Sequence, residues 1–226
     1  MTAQSKQENE REPDKKKATI VRLIVVFLIC TVVVCTTAYL DYTNFWTNQY
    51  TGNQNDPNFS VVNKASWAQR LDFPGLPNFY KTSDDLYRGA QPTAQGMKQL
   101  KELGIKTIIN LRSLHSDRDE FGDSKLIYEH MNMTTLGPKN EDVVRFLEIV
   151  TDSNCTPVFV HCQHGADRTG IMCAIYRIAV QGWRKDEAIA EMTRGGFGFH
   201  RIWMNLVDYI RKLDIDEIKK SAGLKE

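Results

Sequence analysis

Pro157-Val158-Phe159-Val160-His161-Cys162-Gln163-His164-Gly165-Ala166-Asp167-Arg168-Thr169-Gly170 is the stretch on which the reading of this chain turns. Val158 to Val160 form an apolar run suited to a strand. After Gly170, Ile171, Met172, Ile175, Ile178 and Ala179 recur at helical spacing up to Gly182. A strand, a tight loop and a helix start gather successive backbone N–H groups around one point, which makes an anion site. Cys162 stands where the loop begins, beside those N–H groups and the positive helix end, and both favour its thiolate. Arg168, six positions on, closes the loop with a planar fork that matches two phosphate oxygens, as Lys could not. Gly165 lets the backbone curl without a Cβ clash. Together they imply phosphoryl transfer to sulfur, with Gln163, His164, Gly165, Ala166, Asp167 and Arg168 around the phosphate, followed by hydrolysis of a phosphocysteine. This chemistry calls for no metal and no cofactor.

Working outward, strand and helix signals alternate. Leu86-Tyr87-Arg88 reads as a short strand ended by Gly89 and Pro92, and Thr93 as the cap of a helix carrying Met97, Leu100 and Leu103. Ile105 to Leu111 is a continuous apolar run of the kind buried in the centre of a sheet. A further strand is expected near Met131 to Leu136. A helix from Asn140 follows, with Val143, Phe146, Leu147 and Val150 on one face. The expected class is α/β, a short and mostly parallel central sheet flanked by helices.

The N-terminal region adds one transmembrane helix. Leu23 to Leu40 is 18 residues without a charge, about 27 Å of helix against a bilayer core of roughly 30 Å. Lys6, Arg11, Lys15, Lys16, Lys17 and Arg22 precede it, and no Lys or Arg follows before Lys64, so the N-terminus should face the cytoplasm and the remainder should be exported. Tyr39, Tyr42, Phe45 and Trp46 suit the interface beyond the span. A cleavable signal peptide is the competing reading, with Thr36-Thr37-Ala38 as its cleavage region. The expected layout is a cytoplasmic stub 1–22, an anchor 23–40 in the lipid bilayer, a linker 41–76, a catalytic domain 77–215 and a tail 216–226.

Composition sets limits. The 226 residues allow one domain plus an appendage. A net charge of +1 and the absence of any finger or recognition-module pattern exclude nucleic acid as a leading partner. Cys30, Cys35, Cys155, Cys162 and Cys173 are an odd set without Cys-x-x-Cys spacing, so neither a disulfide framework nor a structural zinc site is indicated. A protective disulfide between Cys155 and Cys162 in an oxidising compartment stays open.

The loop resembles the signature of the cysteine-dependent protein tyrosine phosphatase superfamily, His-Cys-x5-Arg-Ser/Thr-Gly, at His161, Cys162, Arg168, Thr169 and Gly170. Leu86-Tyr87-Arg88-Gly89-Ala90-Gln91-Pro92 and Asn110-Leu111-Arg112 resemble the small dual-specificity-like phosphatases of bacteria, plants and fungi, over about residues 78 to 212. The resemblance implies that the Thr169 hydroxyl assists departure of Cys162 and that His161 supports the loop. It also implies a bacterial inner membrane with a periplasmic domain. The family needs an aspartic general acid on a mobile loop, yet no Trp-Pro-Asp triplet occurs. The corresponding segment, Leu136 to Asp142, offers Asp142 or Glu141; both also suit a helix N-terminus. Asp167, inside the loop, is the rival.

His115, His130 and His200 read as surface or satisfied core histidines, and Cys173 as a small core residue. Arg194 to His200 is Gly-rich without a preceding strand, and so reads as a loop at the pocket rim. Gln163, His164, Ala166 and Asp167 include no lysine, which favours a simple phosphomonoester such as phosphotyrosine, on a protein or a small molecule, over a multiply charged ring. A phospholipid headgroup and a binding module without turnover are the alternatives.

Overall fold

The computed structural model describes residues 20–40, 64–118 and 126–224, and the chain divides into two compact units, Met1–Ser60 and Val61–Glu226. In the first, helix α1 (Ile20–Leu40) is 21 residues long with a mean hydropathy of 2.6 in its most apolar window. It is long and apolar enough to cross a membrane. Thr31, Thr36 and Thr37 donate their hydroxyls to carbonyls three residues back, so these polar side chains are satisfied within the helix itself. Helix α1 takes in residues 20–22 of the expected stub; residues 1–19 and most of the linker 41–76 lie outside the described residues.

The second unit is built on a six-stranded sheet in the order β1 (Gln69–Arg70), β2 (Tyr80–Lys81), β3 (Leu86–Gly89), β6 (Val158–His161), β4 (Thr107–Asn110) and β5 (Ile127–His130). The four strands from β3 to β5 are parallel, and β1 and β2 add an antiparallel edge. Every residue of β4 and β6 is buried, as the central strands of a parallel sheet covered on both faces must be. Helix α2 (Ala94–Glu102), capped by the Thr93 hydroxyl on Gly96 N–H at 3.2 Å, closes one apolar cluster with Leu76, Phe79, Met97, Leu100, Ile105, Ile108 and Phe159. Helix α4 (Asp167–Ala179) is buried along nearly its whole length. Around it pack α3 (Asn140–Thr151), α5 (Lys185–Arg194), α6 (Met204–Lys212) and α7 (Ile215–Ser221).

Two elements depart from the sequence reading. The strand expected at Met131–Leu136 lies at Ile127–His130. It is an edge strand with exposed ends, so its apolar signal is weak. The ordered domain also begins well before Pro77. Glu191, 2% exposed, accepts Ala68 N–H at 2.6 Å and the Arg177 guanidinium at 2.6 and 2.8 Å. Arg177 in turn donates to the carbonyls of Ser66 at 3.2 Å and Thr82 at 3.0 Å and lies over the Trp183 ring. The lead-in is thus held by backbone groups on a buried ion pair, which leaves no apolar periodicity to read.

Removing one partner of such a pair strands the other charge in the interior. Glu191→Ala should therefore cost about 3–5 kcal/mol of stability, read as a lowered midpoint in urea unfolding.

Candidate active site

The strand register delivers the site. Gly89 and Asn110 both lie opposite His161, so β3, β6 and β4 end on one line, and Cys162 follows directly on β6. In an open parallel sheet this carboxyl edge is where ligands bind. Beyond it the loop turns so that four successive carbonyls are engaged from outside. His161 Nδ1 lies 3.4 Å from Cys162 O, Gln91 N–H donates to Gln163 O at 3.3 Å, Asn78 Nδ2 to His164 O at 2.8 Å, and Arg88 Nη2 to Gly165 O at 2.8 Å. With its carbonyls held outward, the loop is left with its N–H groups for the interior.

Gly165 has φ +68° and backs onto Gly89, where a Cβ would come within 2.4 Å of backbone atoms. Asn78, with φ 53°, bonds both His164 O and Phe197 O, a left-handed conformation that Asn tolerates.

A cavity of about 510 Å³ opens over the loop. It is lined by Cys162, Gln163, His164, Asp167 and Arg168 from the loop, by Arg112 to His115 and Thr135, and by His200, Ile202 and Trp203. Cys162 is 3% exposed. Arg168 is oriented through Nη1 by the carbonyls of Leu111 at 3.3 Å and Met133 at 3.4 Å. The Thr169 hydroxyl is buried and has no hydrogen-bond partner among the described residues.

A family model described as "DSP-PTPase phosphatase fused to NAD+ Kinase" matches residues 53–204. The chain belongs to the dual-specificity phosphatase family. It is 36% identical over 159 residues to the dual specificity protein phosphatase TpbA of Pseudomonas aeruginosa, covering 68% of this chain and 70% of that protein. A crystal structure of a Cys→Ser variant of P. aeruginosa TpbA in complex with phosphotyrosine superposes with a TM-score of 0.63 at 33% identity, covering 70% of this chain and 96% of the other. The core catalytic domain of an S. cerevisiae PP-IP phosphatase shares the fold, with a TM-score of 0.59 at 22% identity over 67% of this chain and 94% of that one. The chain is a cysteine-dependent phosphatase of the tyrosine and dual-specificity class, and small phosphatases of this family supply its fold.

Within this phosphatase the residues expected from the signature come together, and one expected acid does not. Asp142 accepts Lys139 N–H at 3.1 Å as a cap on α3, and neither it nor Glu141 lines the cavity. Their charges reach Tyr209 instead, whose hydroxyl is pushed up to about 12, first by burial and then by Asp142 and Glu141. Asp167 does line the cavity, 7% exposed, with Oδ1 accepting His200 N–H at 2.8 Å and Oδ2 lying 2.8 Å from His200 Nδ1. All five cysteines are free thiols. Cys155 and Cys162 flank opposite ends of β6, a strand of about 13 Å, beyond the roughly 7 Å that a disulfide spans between Cα atoms. Among the described residues no cluster of three or more His, Cys, Asp or Glu is arranged to hold a metal ion.

Two further residues stand at the site without a site signal in the sequence. One is His200, which lines the cavity where a surface or satisfied core histidine is expected. The other is Asp117, fully buried beneath the loop, whose Oδ2 is 2.7 Å from His161 Nε2. Gln91 Nε2 donates to its Oδ1 at 2.7 Å, Asn110 Nδ2 at 3.1 Å, and its own N–H donates to the Tyr128 hydroxyl at 3.0 Å. Burial pushes the Asp117 carboxyl up, but the hydrogen bond and charge of His161, helped by Gln91 and His115, outweigh it and hold the carboxyl below its ordinary value. Gln91 also accepts Arg112 Nη1 at 2.9 Å, so the same network fixes an arginine of the cavity wall.

A carboxyl depressed on folding stabilises above its unfolded pKa, about 3.9, and loses that contribution as the pH falls through its folded value. Asp117→Asn should therefore cost about 1–3 kcal/mol at pH 7, and the gap to wild type should narrow steadily below about pH 4. Urea unfolding at the two pH values measures both.

Proposed function

We propose that the chain is a membrane-anchored phosphatase that hydrolyses phosphomonoesters, phosphotyrosine foremost, through a phosphocysteine on Cys162. The observation that carries this is that Cys162 and Arg168 line one cavity, over a loop four of whose carbonyls are engaged on its outer side. Sγ of Cys162 attacks phosphorus in line. The loop N–H groups from Gln163 to Arg168 and the Arg168 fork meet the charge on the equatorial oxygens. His161 supports the loop from below, and the unpartnered Thr169 hydroxyl is available to stabilise sulfur when water displaces it. Of the carboxylates considered for the proton step, Asp167 is the one at the cavity, Asp142 being spent on its helix cap. The phosphotyrosine complex of P. aeruginosa TpbA supports the choice of substrate.

Helix α1 supports the anchor. The basic residues before it and their absence up to Lys64 orient the N-terminus to the cytoplasm and the catalytic unit to the far side of a bacterial inner membrane.

A second reading, a lipid-phosphate phosphatase, draws on the cavity rim. Leu114 is 99% exposed, Ile202 79%, and Leu136, next to cavity-lining Thr135, 81%. Apolar side chains so placed suit an apolar surface around the phosphate.

Rapid acid quench followed by mass spectrometry should find a phosphoryl group on Cys162. Cys162→Ser should abolish turnover while retaining phosphopeptide binding, and Arg168→Lys should lower kcat on the order of 10²–10³-fold. Turnover should persist in EDTA. Faster hydrolysis of phosphatidate in mixed micelles than of phosphotyrosine peptides would select the second reading, and binding without any hydrolysis would reject both.

A further inference from the structure

We propose that His200, oriented by Asp167, is the general acid that protonates the leaving oxygen. The inference rests on the phosphocysteine route and supplies the step for which the sequence offers no Trp-Pro-Asp loop.

Asp167 is the single carboxylate among the described residues lining the cavity. Both of its oxygens are engaged: Oδ1 accepts the backbone N–H of His200 and Oδ2 lies against His200 Nδ1, each at 2.8 Å. Both oxygens of Asp167, at the first turn of the helix, are thus turned to His200 rather than to the centre of the cavity. Asp167 serves as a positioning residue that fixes Nδ1–H of the imidazole and leaves Nε2 to carry the mobile proton. His200 itself lines the cavity with Cys162 and Arg168, and its side chain is 52% exposed, so a leaving group can meet it. The Gly-rich turn makes this placement: Gly196 and Gly198 take φ of +83° and +82° just before His200. The His164 ring stands 5.8 Å away, and Arg112, His115 and Arg168 are the other basic groups of the cavity.

The proton balance closes. As Sγ of Cys162 bonds to phosphorus and the P–O bond to the leaving group breaks, Nε2–H of the imidazolium passes its proton to the departing oxygen. The neutral imidazole then takes a proton from the water that attacks phosphocysteine. Orthophosphate and the thiolate are released, and the imidazolium is restored.

The test uses the full chain in nanodiscs and a series of aryl phosphates from 2,4-dinitrophenyl to phenyl phosphate. A lost general acid hurts most where the leaving oxygen is most basic. His200→Gln should lower kcat about 10²-fold on phenyl phosphate and far less on the dinitrophenyl ester, steepening the dependence on leaving-group basicity. Asp167→Asn should steepen it in the same sense, His164→Gln should not, and free imidazole should restore phenyl phosphate turnover to His200→Gly. A uniform loss across the series, an unchanged slope, or the steepening appearing in His164→Gln instead would overturn the assignment. Failure of wild type to form phosphocysteine would be a separate result, against the phosphatase route itself.

Discussion

Four consecutive carbonyls turned away from the cavity are the constraint on which this site depends. The five residues Cys162 to Ala166 join strand to helix, and with these carbonyls turned outward the loop amides are left to the interior. The outward turn is held by the adjacent His161 ring and by donors brought from elsewhere in the chain: the backbone of Gln91, the Asn78 amide and the Arg88 guanidinium. Arg88 is 1% exposed and lies 3.7 Å over the Phe197 ring, so its hydrogen bond to Gly165 O is made in a dry setting where such bonds are strong. The same closeness forbids any side chain at Gly165, because backbone there meets backbone at Gly89.

Two Asp–His pairs flank the reacting sulfur and differ in setting. Asp117 and His161 are wholly buried below the loop, within a network that reaches Asn110, Tyr128 and Gln91. That pair is scaffolding, with no path to substrate. Asp167 and His200 sit above, the carboxylate nearly buried and the ring open to the cavity. Similar chemistry thus does rigid support in one place and has access to a ligand in the other, and burial alone separates them.

Much of the site was legible because strand, loop and helix are contiguous. Cys162, Arg168, Thr169 and the order of β6, loop and α4 follow from one run of residues. The donors that shape the loop are less visible, since Asn78, Arg88 and Gln91 come from more than seventy residues upstream and look like ordinary turn and strand positions. Asp117 lies between a strand and an undescribed segment and carries no spacing signal toward His161. Asp142 stands at a helix cap, a place that asks for the same residue type as a proton donor does. The packing of residues 66 and 68 is silent in the sequence for a related reason: polar backbone ties to Glu191 and Arg177 leave no hydrophobic rhythm.

Those ties have a mechanical side. Arg177 and Arg168 share helix α4, the first gripping Ser66 O and the second reaching over the cavity. A pull applied to the chain upstream of Lys64 would be delivered through a buried ion pair to the helix that closes the phosphate loop. The grip on Ser66 and Ala68 therefore couples the backbone of the lead-in to the helix that carries Arg168.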